Sequence, residues 1–159
     1  MSKKQGEPPL VVRRVVSKYE SVLAENSALS SVYGHEAATA EEVYDLLHPL
    51  LGDEPVEVFG ALLLNVRHRI FAYEEVARGT LTSCIVHPRE VFGSALRMGA
   101  AAIIVAHNHP SGDVMPSLED EQLTSRLIEA GKLLGVPLLD HVILGDDGDF
   151  ISFRRLMPF

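Results

Sequence analysis

The sequence predicts an α/β fold in which helices cover both faces of a mixed β-sheet. Three observations support this class: helical and strand-like patterns alternate along the chain, the run 100–106 is entirely apolar, and hydrophobic residues make up 47% of the sequence. A short apolar run that is followed by a turn containing Pro and Gly is typical of a strand buried on both faces. Helices and strands that alternate around such a strand form layers about one core.

The first 38 residues predict two segments that precede the folded domain. Residues 1–9 are polar and contain two prolines, and we expect them to be disordered. Apolar residues recur at helical spacing over 10–23, and a linker of small residues follows over 27–38. Region 10–38 is therefore predicted to be an N-terminal helix and a linker.

Residues 39–159 predict a single folded domain. Thr39 and Glu42 form a capping box that begins a helix, which Gly52 ends. Pro88 suits the first turn of a second helix. The predicted elements, in order, are a helix at 40–51, strands at 56–64, 69–76 and 83–86, a helix at 88–98, a strand at 100–106, a helix at 118–134 and strands at 138–144 and 150–153.

Composition and charge restrict the class of protein. The chain has one cysteine, Cys84, and so cannot form an internal disulfide, as expected of a cytoplasmic protein. No apolar stretch reaches the roughly 18 residues of a membrane helix. The formal net charge of −8 does not favour a nucleic-acid partner, because phosphate binding requires a basic surface.

Two histidines and one aspartate form a predicted metal site. Side chains two apart on a strand point the same way, so His107 and His109 are expected to face one point at the end of the buried strand. Asp120, at the start of the next helix, is placed to be the third ligand. Three protein ligands leave one position for water, which is the arrangement of a catalytic zinc site; a cysteine-rich structural site is impossible with one cysteine.

The segment from Ser117 to Asp120 also has a simpler interpretation. Ser117 followed three residues later by an acidic residue is a capping box that begins a helix. The two roles are compatible, because a capping turn that fixes the helix start could hold Asp120 against the histidines.

The pattern of His107, one residue, His109, seven residues, Ser117, two residues and Asp120 resembles the JAMM motif of the JAB/MPN metalloprotease family. The segment 55–64 resembles the strand that carries an upstream glutamate in that family. Within the family, four further features resemble the bacterial RadC branch: Asn108 between the histidines, His-Pro-Arg-Glu at 87–90, Arg-Gly-Thr at 78–80 and Asp-His at 140–141. The resemblance covers about residues 39–155.

The resemblance implies a mechanism, a cofactor and a substrate class. One Zn²⁺ per chain would be bound by His107, His109 and Asp120. Glu57 would act as the general acid and base, and Ser117 would donate a hydrogen bond to the oxyanion. The substrate would be a peptide or a protein conjugate cleaved at an amide or isopeptide bond. The implied architecture is a layered α/β/α plan similar to that of the cytidine deaminases.

The resemblance also sets expectations for the N-terminal region. Bacterial RadC proteins usually carry a further N-terminal region that resembles helix-hairpin-helix DNA-binding modules, and this chain is too short to contain one. We interpret the predicted helix near residues 10–25 as a remnant of that region or as an oligomerisation element.

Other functional classes are less consistent with the sequence. A zinc deaminase needs Pro-Cys-x-x-Cys, which a single cysteine excludes. A zincin protease needs His-Glu-x-x-His on one helix, and this motif is absent. A nuclease interpretation of His-Asn-His is opposed by the acidic charge. The alternative that stays open is a non-catalytic metal-binding scaffold or a DNA-repair accessory protein.

Two further residues carry weaker expectations. Asn108 should face away from the metal and have little chemical consequence. His141 follows Asp140 on an interior strand, and a hydrogen-bonded core pair is the default interpretation.

Overall fold

The computed structural model describes residues 32–37, 39–79 and 86–159. In these ranges three helices and five strands are interspersed along the chain. The helices are α1 (Ala40–Leu51), α2 (Pro88–Met98) and α3 (Leu118–Leu134), and the strands are β1 (Val58–Leu64), β2 (Ile70–Arg78), β3 (Ala102–Asn108), β4 (Leu138–Leu144) and β5 (Phe150–Ser152). A short 3-10 helix, Phe153–Arg155, follows β5.

The five strands form one mixed sheet in the order β2-β1-β3-β4-β5. Strands β3 and β4 are parallel, and the other neighbouring pairs are antiparallel. Helix α3 connects the two parallel strands, as a parallel pair requires a long crossover. The central strands β1 and β3 are buried along their whole length.

Alternate residues of the central strands pack against helices on opposite faces of the sheet. One core contains α1 together with Leu62, Ile104 and Val142. The other core contains Phe92 of α2 and Leu127 of α3, together with alternate sheet residues such as Leu63, Ile103 and Val105. The predicted mixed sheet covered by helices on both faces is therefore confirmed.

The helix boundaries follow the predicted local signals. At the start of α1 the Thr39 hydroxyl accepts from the Glu42 N–H, and the Glu42 carboxylate accepts from the Thr39 N–H. Helix α3 ends at Gly135, whose φ of 71° is left-handed and suits a residue without a side chain.

Strand β3 differs from the prediction by two residues at each end. It covers 102–108 rather than 100–106, because His107 pairs with Phe59 and Ile143 on its two neighbouring strands, and Asn108 pairs with Leu144. Backbone pairing therefore continues past the apolar run and carries the first histidine into the sheet.

Several predicted segments lie outside the described residues. These are the disordered segment 1–9, the helix at 10–23, half of the linker at 27–38 and the strand at 83–86 except Val86, which is not in a strand. None of the helices in the described part of the chain combines the length and apolar character needed to cross a bilayer.

Candidate metal centre

His107 and His109 meet at the end of β3, as the spacing predicted. His107 is the next-to-last residue of the strand and is fully buried, whereas the His109 side chain is 13% exposed. The Nε2 atoms of the two rings lie 3.0 Å apart. Phe59 of β1 stacks on the His107 ring with 5.9 Å between ring centroids. The strand alternation thus turns both rings toward the face of the sheet that α3 covers.

Asp120 reaches this point from the first turn of α3. Its side chain is 1% exposed, with Oδ1 3.4 Å from His107 Nε2 and Oδ2 3.7 Å from His109 Nε2. The Asp120 Oδ2 atom accepts hydrogen bonds from the N–H and the hydroxyl of Ser117, at 2.8 and 2.7 Å. Asp120 therefore takes part in the predicted capping box and also lies against the histidines, as predicted.

The donor set fits a metal ion. Ligand atoms about 2.0–2.1 Å from a common tetrahedral zinc lie about 3.3 Å from each other. Here the two Nε2 atoms are 3.0 Å apart, and Asp120 Oδ1 is 3.4 Å from His107 Nε2. Asp120 Oδ1 is buried and has no hydrogen-bond partner among the described residues. A buried carboxylate oxygen without a partner is costly unless a cation neutralises it. His107, His109 and Asp120 thus form a group that could hold a metal ion.

The protonation states of these residues suit metal binding. Burial lowers the pKa of His107 to about 4, although the Asp120 charge opposes this effect. Burial raises the pKa of the Asp120 carboxyl, but the neighbouring His109 and His107 and the hydrogen bonds from Ser117 outweigh it and hold that pKa well below its usual range. The neighbouring Asp120 carboxylate raises the pKa of His109. A metal ion would therefore meet an ionised carboxylate and a neutral His107, and would displace any proton that His109 shares with Asp120.

Glu57 lies beside this group, one residue before β1. The antiparallel register pairs Phe59 with His107, so that Glu57, two residues earlier, stands on the same face near His109. Its charge is among the influences that raise the pKa of His109, after the neighbouring Asp120 carboxylate and the hydrogen bond of His109 to the Asp113 backbone. The half-buried position is compatible with the predicted acid and base role, which stays a prediction.

Ser117 is the N-cap of α3, and its side chain is directed at Asp120. The hydroxyl donates to Asp120 Oδ2 and accepts from the Asp120 N–H at 3.1 Å. These contacts establish the capping interpretation. The predicted oxyanion role of the hydroxyl stays a prediction.

Asn108 faces away from the histidines, as expected, and its side chain forms hydrogen bonds with the backbone of the segment before β1. Its Oδ1 accepts from the Val58 N–H at 2.7 Å, and its Nδ2 donates to the carbonyls of Glu54 and Val56 at 3.2 and 3.1 Å. Two of these partners flank Glu57 in the chain. The side chain between the two histidines therefore fixes the backbone that carries the candidate base.

Two buried residues lie behind the site: Thr124, which the sequence interpretation missed, and His141, for which it did not predict a contact with His107. His141 Nε2 lies 2.8 Å from His107 Nδ1, and His141 Nδ1 lies 2.6 Å from Thr124 Oγ1. Burial lowers the pKa of His141 well below its ordinary value, and the neighbouring His107 adds to the effect. Thr124 stands four residues after Asp120, on the same side of α3. That helical spacing was a usable signal for Thr124, whereas only the pairing of β3 with β4 places His141.

Asp140 and His141 form the expected hydrogen-bonded pair in the core, but through the His141 backbone N–H and not through its ring. Asp140 also accepts from the Ser152 hydroxyl and from the backbone N–H of Arg154. Neighbouring residues on a strand point to opposite faces, which separates the two side chains. His141 is thereby left to face His107.

Comparison with known proteins gives a consistent result. A family model described as "RadC-like JAB domain" matches residues 37–157. Curated relatives named UPF0758 protein include one from Chlorobaculum parvum, 50% identical over 115 residues, and one from Trichlorobacter lovleyi, 51% identical over 112 residues. A third, from Geobacter sulfurreducens, is 46% identical over 128 residues. These names state no activity.

The match covers most of this chain but only part of each relative. It includes 72, 70 and 80% of this chain and 51, 48 and 56% of the three relatives, in the same order. The chain therefore spans about half the length of the curated relatives it matches.

Proposed function

Because the chain belongs to the RadC-like JAB domain family, we propose that it is a metal-dependent hydrolase of peptide or isopeptide bonds. His107, His109 and Asp120 would hold one zinc ion per chain. The observation that carries the proposal is the buried Asp120 Oδ1, which lies 3.4 Å from His107 Nε2 and has no hydrogen-bond partner among the described residues.

A bound zinc ion would lower the pKa of a water molecule toward neutrality and polarise a substrate carbonyl. The residues around it perform the proton transfers. Glu57 takes a proton from the attacking water and later gives it to the leaving amine, so that its carboxylate is restored at the end of the cycle. The proximity of Glu57 to His109 supports this assignment.

Ser117 would stabilise the negative charge that develops on the carbonyl oxygen. Its hydroxyl donates to Asp120 Oδ2, but its backbone N–H donates to the same oxygen. The hydroxyl can therefore turn toward a substrate without leaving that carboxylate oxygen unpaired. Preorganised donors of this kind are worth about 3–4 kcal/mol of transition-state stabilisation.

The first test is the metal content of three purified proteins, together with their activity on a panel of peptides and isopeptide-linked peptides. We expect about one zinc per chain in the wild type and in Glu57→Gln, and loss of zinc in His109→Ala. Cleavage should be lost in both variants, because Glu57→Gln keeps the shape of the side chain but cannot take a proton. Measurement of the zinc content by mass spectrometry distinguishes loss of the metal in His109→Ala from loss of the base in Glu57→Gln.

Two results would contradict the proposal. Absence of zinc from the wild type after zinc is added back would remove the metal site. Equal cleavage by the wild type and Glu57→Gln would assign the base to another residue. Zinc binding with no cleavage of any peptide in the panel would instead support a non-catalytic metal-binding protein, for which binding to branched DNA is the next measurement.

A further inference from the structure

Three buried hydrogen bonds run behind the candidate metal centre, from the His107 ring to the backbone of Asp120. His107 Nδ1 contacts His141 Nε2 at 2.8 Å, His141 Nδ1 contacts Thr124 Oγ1 at 2.6 Å, and Thr124 Oγ1 contacts the Asp120 carbonyl oxygen at 2.7 Å. The side chains of His107, His141 and Thr124 are all fully buried. The proposed reaction assigns no task to His141 or Thr124.

The direction of each hydrogen bond follows from the groups involved. A carbonyl oxygen can only accept, so the single hydroxyl hydrogen of Thr124 points at the Asp120 carbonyl. Toward His141 the hydroxyl must then accept, and His141 carries its hydrogen on Nδ1. A neutral imidazole has one N–H, which leaves a lone pair on His141 Nε2.

The same reasoning determines the tautomer of His107. Because His141 Nε2 accepts, His107 donates from Nδ1 and keeps the lone pair on Nε2. That Nε2 atom is the one 3.4 Å from Asp120 Oδ1 and 3.0 Å from His109 Nε2. The hydroxyl of Thr124 thus determines, through two rings, which nitrogen of His107 is available to a ligand.

We propose that Thr124 and His141 are positioning residues that hold His107 in the tautomer with hydrogen on Nδ1, so that Nε2 is free to bind the metal. The inference rests on the proposed function, because it concerns how the metal ligand is prepared. Partners of this kind behind a metal-binding histidine fix its tautomer and ring orientation, and their loss costs 10- to 100-fold in metal affinity.

The packing around His141 supports a fixed orientation of its ring. Phe153 stacks on it with 4.8 Å between ring centroids, and Phe59 contacts it edge-on at 5.5 Å. Both phenylalanines are 1% exposed. A ring held between two aromatic side chains keeps its nitrogens directed at His107 and Thr124.

His109 provides an internal control, since a separate contact determines its tautomer. Its Nδ1 lies 2.5 Å from the carbonyl oxygen of Asp113, which can only accept. His109 therefore carries hydrogen on Nδ1 without help from Thr124 or His141. A change in the Thr124 hydroxyl should alter His107 and His141 and leave His109 unchanged.

The test compares the wild type with Thr124→Ser, which keeps the hydroxyl, and Thr124→Val, which keeps the shape and removes it. Two-bond ¹⁵N–¹H correlation spectra of the metal-free proteins at about pH 8, above the ordinary histidine pKa, assign the tautomer of each ring. We expect His107 and His141 to carry hydrogen on Nδ1 in the wild type and Thr124→Ser. In Thr124→Val, hydrogen should appear on Nε2 of both rings.

Zinc affinity, measured by competition with a chromogenic chelator, should fall 10- to 100-fold in Thr124→Val and much less in Thr124→Ser. Hydrogen on His107 Nε2 in the metal-free wild type would overturn the inference, even if Thr124→Val fails to fold. Equal zinc affinity and equal tautomers in the two variants would also overturn it. A wild type that shows the expected tautomers but binds no zinc would contradict the proposed function. It would leave unchanged the conclusion that Thr124 and His141 determine the tautomer of His107.

Discussion

The two carboxylate oxygens of Asp120 make different contacts. Oδ2 accepts two hydrogen bonds from Ser117 and so closes the first turn of α3, while Oδ1 faces His107. The cap fixes the rotamer of the side chain, and the fixed rotamer places the second oxygen. A local signal for a helix start therefore also predicts the position of a candidate metal ligand that comes from a different element than the histidines.

Substitution of Ser117 separates its capping role from its chemical role. Alanine at an N-cap costs about 1 kcal/mol of unfolding free energy, whereas glycine costs only a few tenths. Cleavage should fall about 100-fold or more in both Ser117→Ala and Ser117→Gly, because neither residue has a hydroxyl to donate to the oxyanion. Urea denaturation and steady-state kinetics on a cleaved peptide measure the two effects independently.

A Ser117→Gly protein that cleaves as fast as the wild type would limit Ser117 to its role as a cap. The matched control is Ser117→Thr. This substitution retains both the cap and the hydroxyl, and we expect it to keep most of the stability and the activity.

Residue spacing predicted the ligand group but could not predict the residues behind it. The group lies within 14 positions, from 107 to 120. The predicted strand places His107 and His109, and the capping box places Asp120. His141 is 34 residues from His107, and its contact depends on the parallel register of two strands. No local pattern encodes that register, because it results from the packing of α3 across the sheet.

At the scale of elements, β3 connects the two sides of the site. Its odd-numbered side chains face α3 and supply His107, whereas Asn108 on the other side binds the segment before β1. Apolar patterning predicted the strand but placed its end two residues early, since the histidine and the asparagine interrupt the apolar run. Their pairing with β1 and β4 outweighs the polar character of their side chains.

Replacement of Asn108 should loosen the segment that carries Glu57. Asn108→Ala leaves the buried Val58 N–H without its acceptor, and we expect a loss of about 1–3 kcal/mol of unfolding free energy. Hydrogen exchange of the Val58 amide should accelerate more than exchange in the middle of β3. Urea denaturation and exchange mass spectrometry provide the two measurements.

Asn65 in the turn between β1 and β2 is the control for this substitution. Its side chain likewise bonds the backbone, since it accepts from the N–H groups of Arg67 and Arg69, but these hydrogen bonds are exposed to solvent and water can replace them. Asn65→Ala should therefore change stability by about 0.5 kcal/mol or less. An equal loss in the two variants would contradict the special role assigned to Asn108.

At the scale of the whole molecule, the candidate site assembles from four segments. These segments are the start of β1, the end of β3, the start of α3 and the middle of β4. The α/β class and most of the elements were predictable, since they depend on local periodicity and capping. The order of the strands and the meeting of the four segments depend on tertiary packing.

Zinc should therefore stabilise the entire fold rather than one loop. Free zinc at about 1,000 times its dissociation constant contributes about 4 kcal/mol to the folded state. For a domain of this size we expect the melting temperature to rise by roughly 8–16 °C. Differential scanning calorimetry with zinc and with a chelator tests this expectation, and His109→Ala should melt at the same temperature in both. An equal melting temperature of the wild type with zinc and with a chelator would be inconsistent with a metal site built from four segments.

The unequal burial of the two histidines has a kinetic consequence. His107 and Asp120 lie beneath the surface, and among the described residues of the ligand group His109 alone is in contact with solvent. An ion that exchanges with the surroundings would pass the His109 ring and the segment from 109 to 117 that holds it. The lifetime of the bound ion would then depend on how often this segment opens, and two variants of equal affinity could exchange metal at very different rates.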